Sequence, residues 1–161
     1  MNHHLFYKMK NNTGICLTMS NGNAFEIDPN FEPLLTDAIN GAPEKHIPVL
    51  KNRENKLHVR VGQVPHPSLP EHHIEWIYVE TACGGMIHYL TPIEPPKATF
   101  NVALDDVICV YAYCNIHGLW KNGKPNYKNN GLNDIEYDIV CSPEFPESCT
   151  ESWDDINENN K

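Results

Sequence analysis

The chain has 161 residues, a formal net charge of −9 and a hydrophobic content of 40%, which fits one core domain with room for a small appendage. Because nucleic acid and anionic membrane surfaces repel an acidic protein, the charge argues against both as main partners. The sequence holds no apolar stretch of membrane-spanning length and its first residues lack the apolar run of a secretion signal, so we expect a cytoplasmic protein with no membrane partner.

Short extended segments dominate the sequence, and it shows no long helical periodicity. One strand is clear because Leu57, Val59 and Val61 alternate with more polar residues, the pattern of a half-buried strand. Two further segments flank Cys83 and Gly84, which predicts a β-hairpin. Several short strands separated by turn signals predict an antiparallel β-sandwich. In chain order, the predicted strands are residues 14–19, 24–27, 56–64, 73–81, 85–90, 97–103 and 106–114.

The last part of the chain differs in composition from the rest. Residues 121–161 carry nine acidic and four basic residues, so they hold −5 of the total charge. From Gly123 onward the sequence is rich in Asn, Asp, Glu and Pro, a composition typical of loops or disorder. Residues 135–141 are the exception and predict one edge strand. We therefore predict an acidic, partly irregular C-terminal extension over residues 123–161.

Cysteine and histidine are the residue types that point to chemistry. The chain has six cysteines and nine histidines. The irregular cysteine spacing and the missing secretion signal disfavour a disulfide framework, so a working cysteine is expected to be a metal ligand or a nucleophile. The histidine count invites a search for a metal centre. The cysteines are Cys16, Cys83, Cys109, Cys114, Cys141 and Cys149.

Five potential metal ligands fall where predicted strands begin or end. Side chains at strand ends and in loops converge readily at one end of a sandwich, so these five are expected to meet. His72 and His73 compete for one place because adjacent strand residues point to opposite faces, and spacing alone does not choose between them. His58 and His88 lie within predicted strands and are expected to be ordinary histidines. The candidates are His46, His66, His72, Cys114 and His117.

The number and type of these donors narrow the chemistry. Structural zinc takes four ligands in a closed tetrahedron, whereas four imidazoles and one thiolate suit a square pyramid with an open sixth position. Imidazole suits iron, and an axial thiolate raises the electron density at it. The pattern favours a non-haem iron centre that binds and reduces a small ligand. The alternatives are an iron electron carrier or sensor and a zinc-stapled binding domain.

Three segments, in order, resemble the superoxide reductase family, which includes desulfoferrodoxin and neelaredoxin. They are GAPEKHIPV (41–49), VGQVPHPSLPEHHIEWI (61–77) and YCNIHGLW (113–120). Each segment is a weak signal alone, but three with matching gaps make a strong one over about half of the chain. The resemblance implies an all-β, immunoglobulin-like antiparallel β-sandwich over residues 39–122 that holds one mononuclear iron (Fe2+/Fe3+).

Carried over residue by residue, the resemblance implies four equatorial histidines and an axial Cys114. The family places one ligand directly after the first glutamate of Glu-His-aromatic-Ile-Glu-Trp, which selects His72 and leaves His73 at the aromatic position. Glu44 matches a glutamate that can occupy the sixth position of ferric iron in relatives, and Lys45 matches a lysine near that open face. The implied equatorial ligands are His46, His66, His72 and His117.

Residues 1–38 resemble the small desulforedoxin-like module, related to rubredoxin, that carries a second iron in two-iron relatives. That module holds its iron with two pairs of cysteines, and Cys16 alone cannot replace them. The resemblance therefore implies a degenerate module without iron, a small β appendage to a one-iron protein. Other residues fill the four cysteine positions: Met9, Asn12, Asp28 and Pro29.

The activity that the resemblance implies is the one-electron reduction of superoxide, which with two protons gives hydrogen peroxide. Because the N-terminal module lacks its iron-binding cysteines, the chain is expected to need an external electron donor such as rubredoxin. Family habit implies a homodimer. The positive charge of Lys45 is expected to speed the association of superoxide with the site.

Overall fold

The computed structural model describes residues 3–11, 14–20, 28–36 and 41–123. The chain divides into two compact units, Met1–Gly123 and Lys124–Lys161, and every described residue belongs to the first. Two predicted strands, 24–27 and 135–141, therefore lie outside the described residues, as does the C-terminal extension beyond Gly123.

The described residues form ten strands in three antiparallel sheets, with one short helix. The helix, α1, is Pro43–His46, and a single 3₁₀ turn covers Leu104–Asp106. Neither is long and apolar enough to cross a membrane. The strands are β1 (His3–Met9), β2 (Ile15–Ser20), β3 (Phe31–Pro33), β4 (Pro48–Arg53), β5 (Lys56–Val61), β6 (Ile74–Thr81), β7 (Gly84–Tyr89), β8 (Lys97–Phe100), β9 (Val107–Cys114) and β10 (Gly118–Gly123).

Seven of these strands make the predicted β-sandwich. One sheet has the order β10-β9-β6-β7 and the other the order β4-β5-β8, an arrangement of four and three strands like that of immunoglobulin domains. Their inner faces share one apolar core, because every second residue of each strand points inward. The core residues with no exposed surface include Leu57, Val59, Val61, Ile77, Val79, Val110 and Ala112.

The third sheet, β2-β1-β3, covers the outer face of the sandwich and confirms the predicted N-terminal β appendage. Phe6 on β1 packs against three aromatic rings, with centroid distances of 5.4 Å to Trp76, 5.5 Å to Tyr78 and 5.1 Å to Tyr111. Strand β6 is consequently buried on both faces, with Ile77 inward and Trp76 outward. The division at residue 38 stays a prediction.

Strand boundaries agree with the sequence where periodicity is clear. The structure adds β1, β3, β10 and helix α1, which the apolar pattern did not reveal because they are short or rich in polar residues. It also defines β4, the strand after His46, which had no predicted bounds. The segments predicted over 56–64 and 97–103 end earlier, at Val61 and Phe100. Strands β2 and β5 to β9 confirm the predictions for residues 14–19, 56–64, 73–81, 85–90, 97–103 and 106–114.

Candidate metal centre

The five predicted ligands come together at one place in the structure. His46 ends helix α1, and His66 and His72 lie in the connection between β5 and β6. Cys114 ends β9, and His117 lies in the turn that leads to β10. Their ligand atoms all lie within 4.8 Å of one another. The convergence predicted from strand ends and loops is confirmed.

The distances between the ligand atoms suit a single metal ion. The Nε2 atom of His46 lies 2.9 Å from Nδ1 of His117, and the sulfur of Cys114 lies 3.6 Å from the same nitrogen. With metal–nitrogen bonds of about 2.1 Å, ligands at right angles would be about 3.0 Å apart and opposite ligands about 4.2 Å apart. The observed distances between ligand atoms, from 2.9 Å up to at most 4.8 Å, are close to these two values.

The four imidazole rings form a square. Neighbouring rings around it have centroids 4.6 to 4.9 Å apart and lie 67° to 78° from parallel. His46 and His72 occupy opposite corners, with centroids 6.2 Å apart and rings 29° from parallel. In chain order around the square, the corners are His46, His66, His72 and His117. Four imidazoles in a square, with a thiol as fifth donor, fit a square pyramid rather than a zinc tetrahedron.

Hydrogen bonds aim the ring nitrogens inward. The Nδ1 atom of His46 donates to the carbonyl of Ala42 at 2.8 Å, and that of His66 donates to the carbonyl of Pro67 at 2.8 Å. The buried Nε2 atoms of His66 and His72 have no hydrogen-bond partner among the described residues. Buried polar atoms are rarely left unpaired, and a metal ion would satisfy both. The donor set therefore fits a mononuclear iron.

Known proteins carry the same pattern. The family model for desulfoferrodoxin matches residues 38–123, more than half of the chain. The chain belongs to the desulfoferrodoxin family. A desulfoferrodoxin from Clostridium acetobutylicum is 36% identical over 124 residues, which cover 75% of this chain and 98% of the relative. A superoxide reductase from Pyrococcus horikoshii is 40% identical over 97 residues, covering 49% of this chain and 84% of the relative.

A solved structure shows a similar fold. The superoxide reductase from Treponema pallidum superposes with a TM-score of 0.59 and 31% sequence identity, covering 75% of this chain and 98% of that one. Since this similarity extends over three quarters of the chain, it is not confined to the 86 residues that the desulfoferrodoxin model spans. The family resemblance and the fold class predicted from sequence are confirmed.

Burial sets the protonation of the desulfoferrodoxin-type ligands. It lowers the pKa of His66 from 6.5 to about 4 and also lowers the pKa of His46 and of His72, because a buried imidazolium loses hydration. Burial raises the pKa of the Cys114 thiol, and backbone amides of the following turn oppose that shift. At neutral pH these three histidines are thus ready to bind, whereas the Cys114 thiol must lose its proton to solvent when a metal binds.

The five ligands differ in how far they are exposed to solvent. Cys114 is 0% exposed and belongs to the apolar core, whereas His72 and His117 are partly exposed. Glu44 and Lys45 are exposed on helix α1. The structure thus places these two predicted catalytic residues next to the cluster in sequence and on the surface, while their roles stay predictions.

The charges on helix α1 act on the cluster. Burial lowers the pKa of His72 most, and neighbouring positive charges, including that of Lys45, lower it further. The pKa of His46 is lowered by burial too, and the negative charge of Glu44 opposes that shift. Both side chains therefore lie close enough for their charges to shift the pKa values of these ligands.

Helix α1 is held by the turn that follows β5. It begins at Pro43, whose ring suits the first helical position. The Gly62 amide donates to the carbonyl of Ile47 at 3.0 Å, and the Val64 amide donates to the carbonyl of Glu44 at 3.0 Å. Gly62 has a φ of +86°, and a side chain there would collide with backbone atoms on both sides. A glycine is therefore required for this turn to support the helix.

The histidines left out of the cluster have ordinary partners. His73 donates from Nδ1 to the carbonyl of Leu69 at 3.1 Å. His58 lies on β5 within 3.0 Å of the Thr99 hydroxyl, and His88 lies on β7 with its ring 6.4 Å from that of a core phenylalanine. The structure thus brings His72 rather than His73 to the centre, as the family pattern implied.

Sequence reasoning missed a contribution from Trp120. The Trp120 ring stacks on His46 at 4.7 Å and 22°, and its Nε1 donates to the carbonyl of His117 at 3.2 Å. Gly41 packs so closely that an added Cβ would lie 2.8 Å from the Trp120 ring and 3.2 Å from that of His46. The only available signal was that Trp120 follows His117 by three residues.

Proposed function

We propose that this chain is a superoxide reductase, which transfers one electron to superoxide and, with two protons, releases hydrogen peroxide. The proposed iron ligands are His46, His66, His72, His117 and Cys114. The observation that carries the proposal is the square of imidazoles with a buried thiol, in which the two corners His72 and His117 are partly exposed. A pure electron carrier has no need of an open position, because saturated coordination serves it better.

Each part of the site has a distinct task. When bound, iron supplies the electron and an open coordination position for superoxide. Burial lowers the pKa of His46, His66 and His72, which keeps these three imidazoles neutral at pH 7, so they would hold a cation without cancelling its charge. Cys114 would bind the iron as a thiolate and would raise the electron density at the metal.

Lys45 is proposed to guide superoxide to the open face. The net charge of −9 repels an anion, so a local positive charge must overcome the field of the whole protein. Lys45 is exposed, and its charge contributes to the lowered pKa of His72. Glu44 on the same helix is proposed to cover the open position after peroxide leaves. Water at this exposed face is the proposed source of the two protons.

An external protein is proposed to return the electron. The sequence of the N-terminal module resembles the iron-binding module of two-iron relatives. It has Met9 and Asp28 at positions where that module has cysteine ligands. A rubredoxin-type donor suits a one-iron enzyme of this kind. We further propose a homodimer in the cytoplasm, on the strength of the family resemblance.

The stoichiometry of the reaction tests the proposed function. The iron-loaded protein is reduced, mixed with superoxide under anaerobic conditions, and the peroxide formed is measured. One peroxide for each superoxide consumed is the expected result for reduction. One peroxide for every two would show dismutation, and superoxide loss no faster than its spontaneous rate would remove the enzyme activity altogether. Metal-free protein serves as the control.

A further inference from the structure

Asn115 connects the turn that carries two of the proposed ligands to the segment that carries a third. It directly follows Cys114, yet its side chain reaches residues more than forty positions earlier. Its Oδ1 accepts from the backbone amide of His73 at 2.9 Å, and its Nδ2 donates to the carbonyl of Glu71 at 3.0 Å. Its own amide donates to the carbonyl of His73 at 3.2 Å. The carboxamide thus holds the chain on both sides of His72.

The backbone of His72 itself is held by a different residue. Its amide donates to the carbonyl of Leu69 at 2.9 Å, and its carbonyl accepts from the Leu69 amide at 3.1 Å. With Asn115 on the neighbouring peptide groups, the three-residue segment around His72 has partners before and after the ligand. A segment held in this way cannot rotate freely about its own axis, because rotation would break several hydrogen bonds together.

We propose that Asn115 is a positioning residue that selects His72 over His73 as the ligand and fixes it relative to Cys114. The proposal rests on the ligand set of the proposed function. Adjacent residues of an extended segment point to opposite faces, so a twist of residues 71–73 would turn the His72 ring away and bring the His73 ring toward the cluster. The Asn115 carboxamide opposes that twist through the Glu71 carbonyl and the His73 amide.

The energetic reason lies in what Asn115→Ala leaves behind. The alanine cannot accept from the His73 amide or donate to the Glu71 carbonyl, so both side-chain hydrogen bonds are lost and only the backbone bond to the His73 carbonyl remains. Residues that orient metal ligands typically change metal affinity by about 10–100-fold when removed. Asn115→Asp keeps the acceptor for the His73 amide but loses the donor to the Glu71 carbonyl, so it should preserve part of the iron affinity that Asn115→Ala loses.

The test compares His73→Ala in two backgrounds. The readouts are iron affinity and the thiolate-to-iron charge-transfer band of the oxidised protein. With Asn115 present, His72→Ala should change both readouts and His73→Ala should change neither. In the Asn115→Ala background we expect about ten-fold weaker iron binding, a shifted band, and a further change on adding His73→Ala, because His73 then competes for the site. Asn115→Asp should lie between alanine and wild type.

Two results would overturn the inference. The first is an equal effect of His73→Ala in both backgrounds, which would make Asn115 a merely structural residue. The second is an unchanged band in His72→Ala, which would remove His72 from the ligand set. Thermal unfolding of the metal-free variants shows whether each one folds. The peroxide assay on wild type is independent, since its failure would reject the proposed activity while leaving the spectroscopic comparison valid.

Discussion

The buried thiol and the helix next to the histidine square lie in contrasting surroundings, one apolar and one charged and exposed. Cys114 is fully buried at the end of β9 and joins the apolar core of the sandwich. Directly before His46 in the chain, a four-residue helix presents exposed Glu44 and Lys45. The contrast teaches that the fold gives the candidate site two environments. Apolar packing encloses the thiol donor, whereas the charged side chains beside a ligand histidine lie in solvent.

Changing the buried donor should have the largest effect. Replacing Cys114 by serine substitutes a hard oxygen for a soft thiolate, so the charge-transfer band should disappear. Iron affinity should fall by more than the roughly 10–100-fold typical of an orienting residue, because a direct ligand is changed. Metal titration and visible absorption measure both. Cys109→Ser is the matched control, since Cys109 is also buried on β9 but lies outside the cluster, and it should retain the band.

Removing the packing beside the square should come next. Trp120→Ala should lower the free energy of unfolding by about 3–5 kcal/mol, the usual cost of truncating a buried tryptophan, since Trp120 is only 3% exposed. Trp120→Phe keeps a ring over His46 and loses only the donor to the His117 carbonyl, so its cost should be smaller. Chemical denaturation measures both. Equal losses for the two variants would mean that the stacked ring contributes little.

The pH dependence of the metal-free protein should show how deeply the ligands are buried. His66 has a folded pKa of about 4 against 6.5 when unfolded, so between those values the unfolded chain binds more protons. Stability should therefore be full above about pH 6.5 and fall toward pH 4, with His66 contributing at most about 3 kcal/mol. Urea denaturation across this range measures the loss.

The matched comparison for that experiment is a pair of histidine variants. His66→Gln should flatten the decline between pH 6.5 and 4, because it removes a group whose proton affinity differs between the two states. His88→Ala, on the exposed strand β7, should leave the decline as it is in wild type. A decline that persists unchanged in His66→Gln would locate its origin in other groups.

On the open face, Lys45→Ala should slow superoxide association by about ten-fold, the low end of electrostatic steering, and should weaken its dependence on ionic strength. Rapid mixing or pulsed generation of superoxide measures the bimolecular rate. Lys56→Ala is the control. It removes an equal charge at the start of β5, whereas helix α1 is bonded to the turn that follows the end of that strand. It should change the rate much less. An unchanged rate and salt dependence in Lys45→Ala would end its assignment as the guiding charge.

Glu44→Ala should have the smallest effect on the first reduction. Removing a carboxylate does not weaken the attraction of an anion, so the rate should stay within about a factor of two of wild type. The absorption of the oxidised protein should nevertheless shift if Glu44 covers the open position. An inactive Glu44→Ala variant would contradict the proposed role and move Glu44 into the reduction step itself.

The sequence predicted the donors better than their arrangement. Strand ends and loops identified His46, His66, Cys114 and His117, because ligand types at such places are visible in one dimension. Spacing alone did not choose between His72 and His73, since the orientation of this segment depends on contacts with distant residues, such as the two hydrogen bonds from the Asn115 side chain. The number and type of donors suggested a square pyramid, but the family resemblance alone assigned the histidines to its square base, because periodicity carries no information about contacts between distant segments.

The fold shows the same limit. The alternating pattern of β5 predicted its buried side correctly, because one face meets the core and the other does not. In β6 the residues facing outward, such as Trp76 and Tyr78, are also buried. Their cover is Phe6, about seventy residues earlier in the chain, and no local pattern links the two. Strand β1 was accordingly absent from the predicted elements.

The packing of Phe6 determines how the molecule opens. Detaching the N-terminal sheet would expose a cluster of packed aromatic rings to water, and each such ring buries about 150–250 Å². Opening there should therefore cost far more than fraying of a chain end. Amide hydrogens of β1 should exchange with solvent together with those of β6, as one cooperative unit. A sheet that carries none of the five ligands thus shares in the stability of the region that holds them.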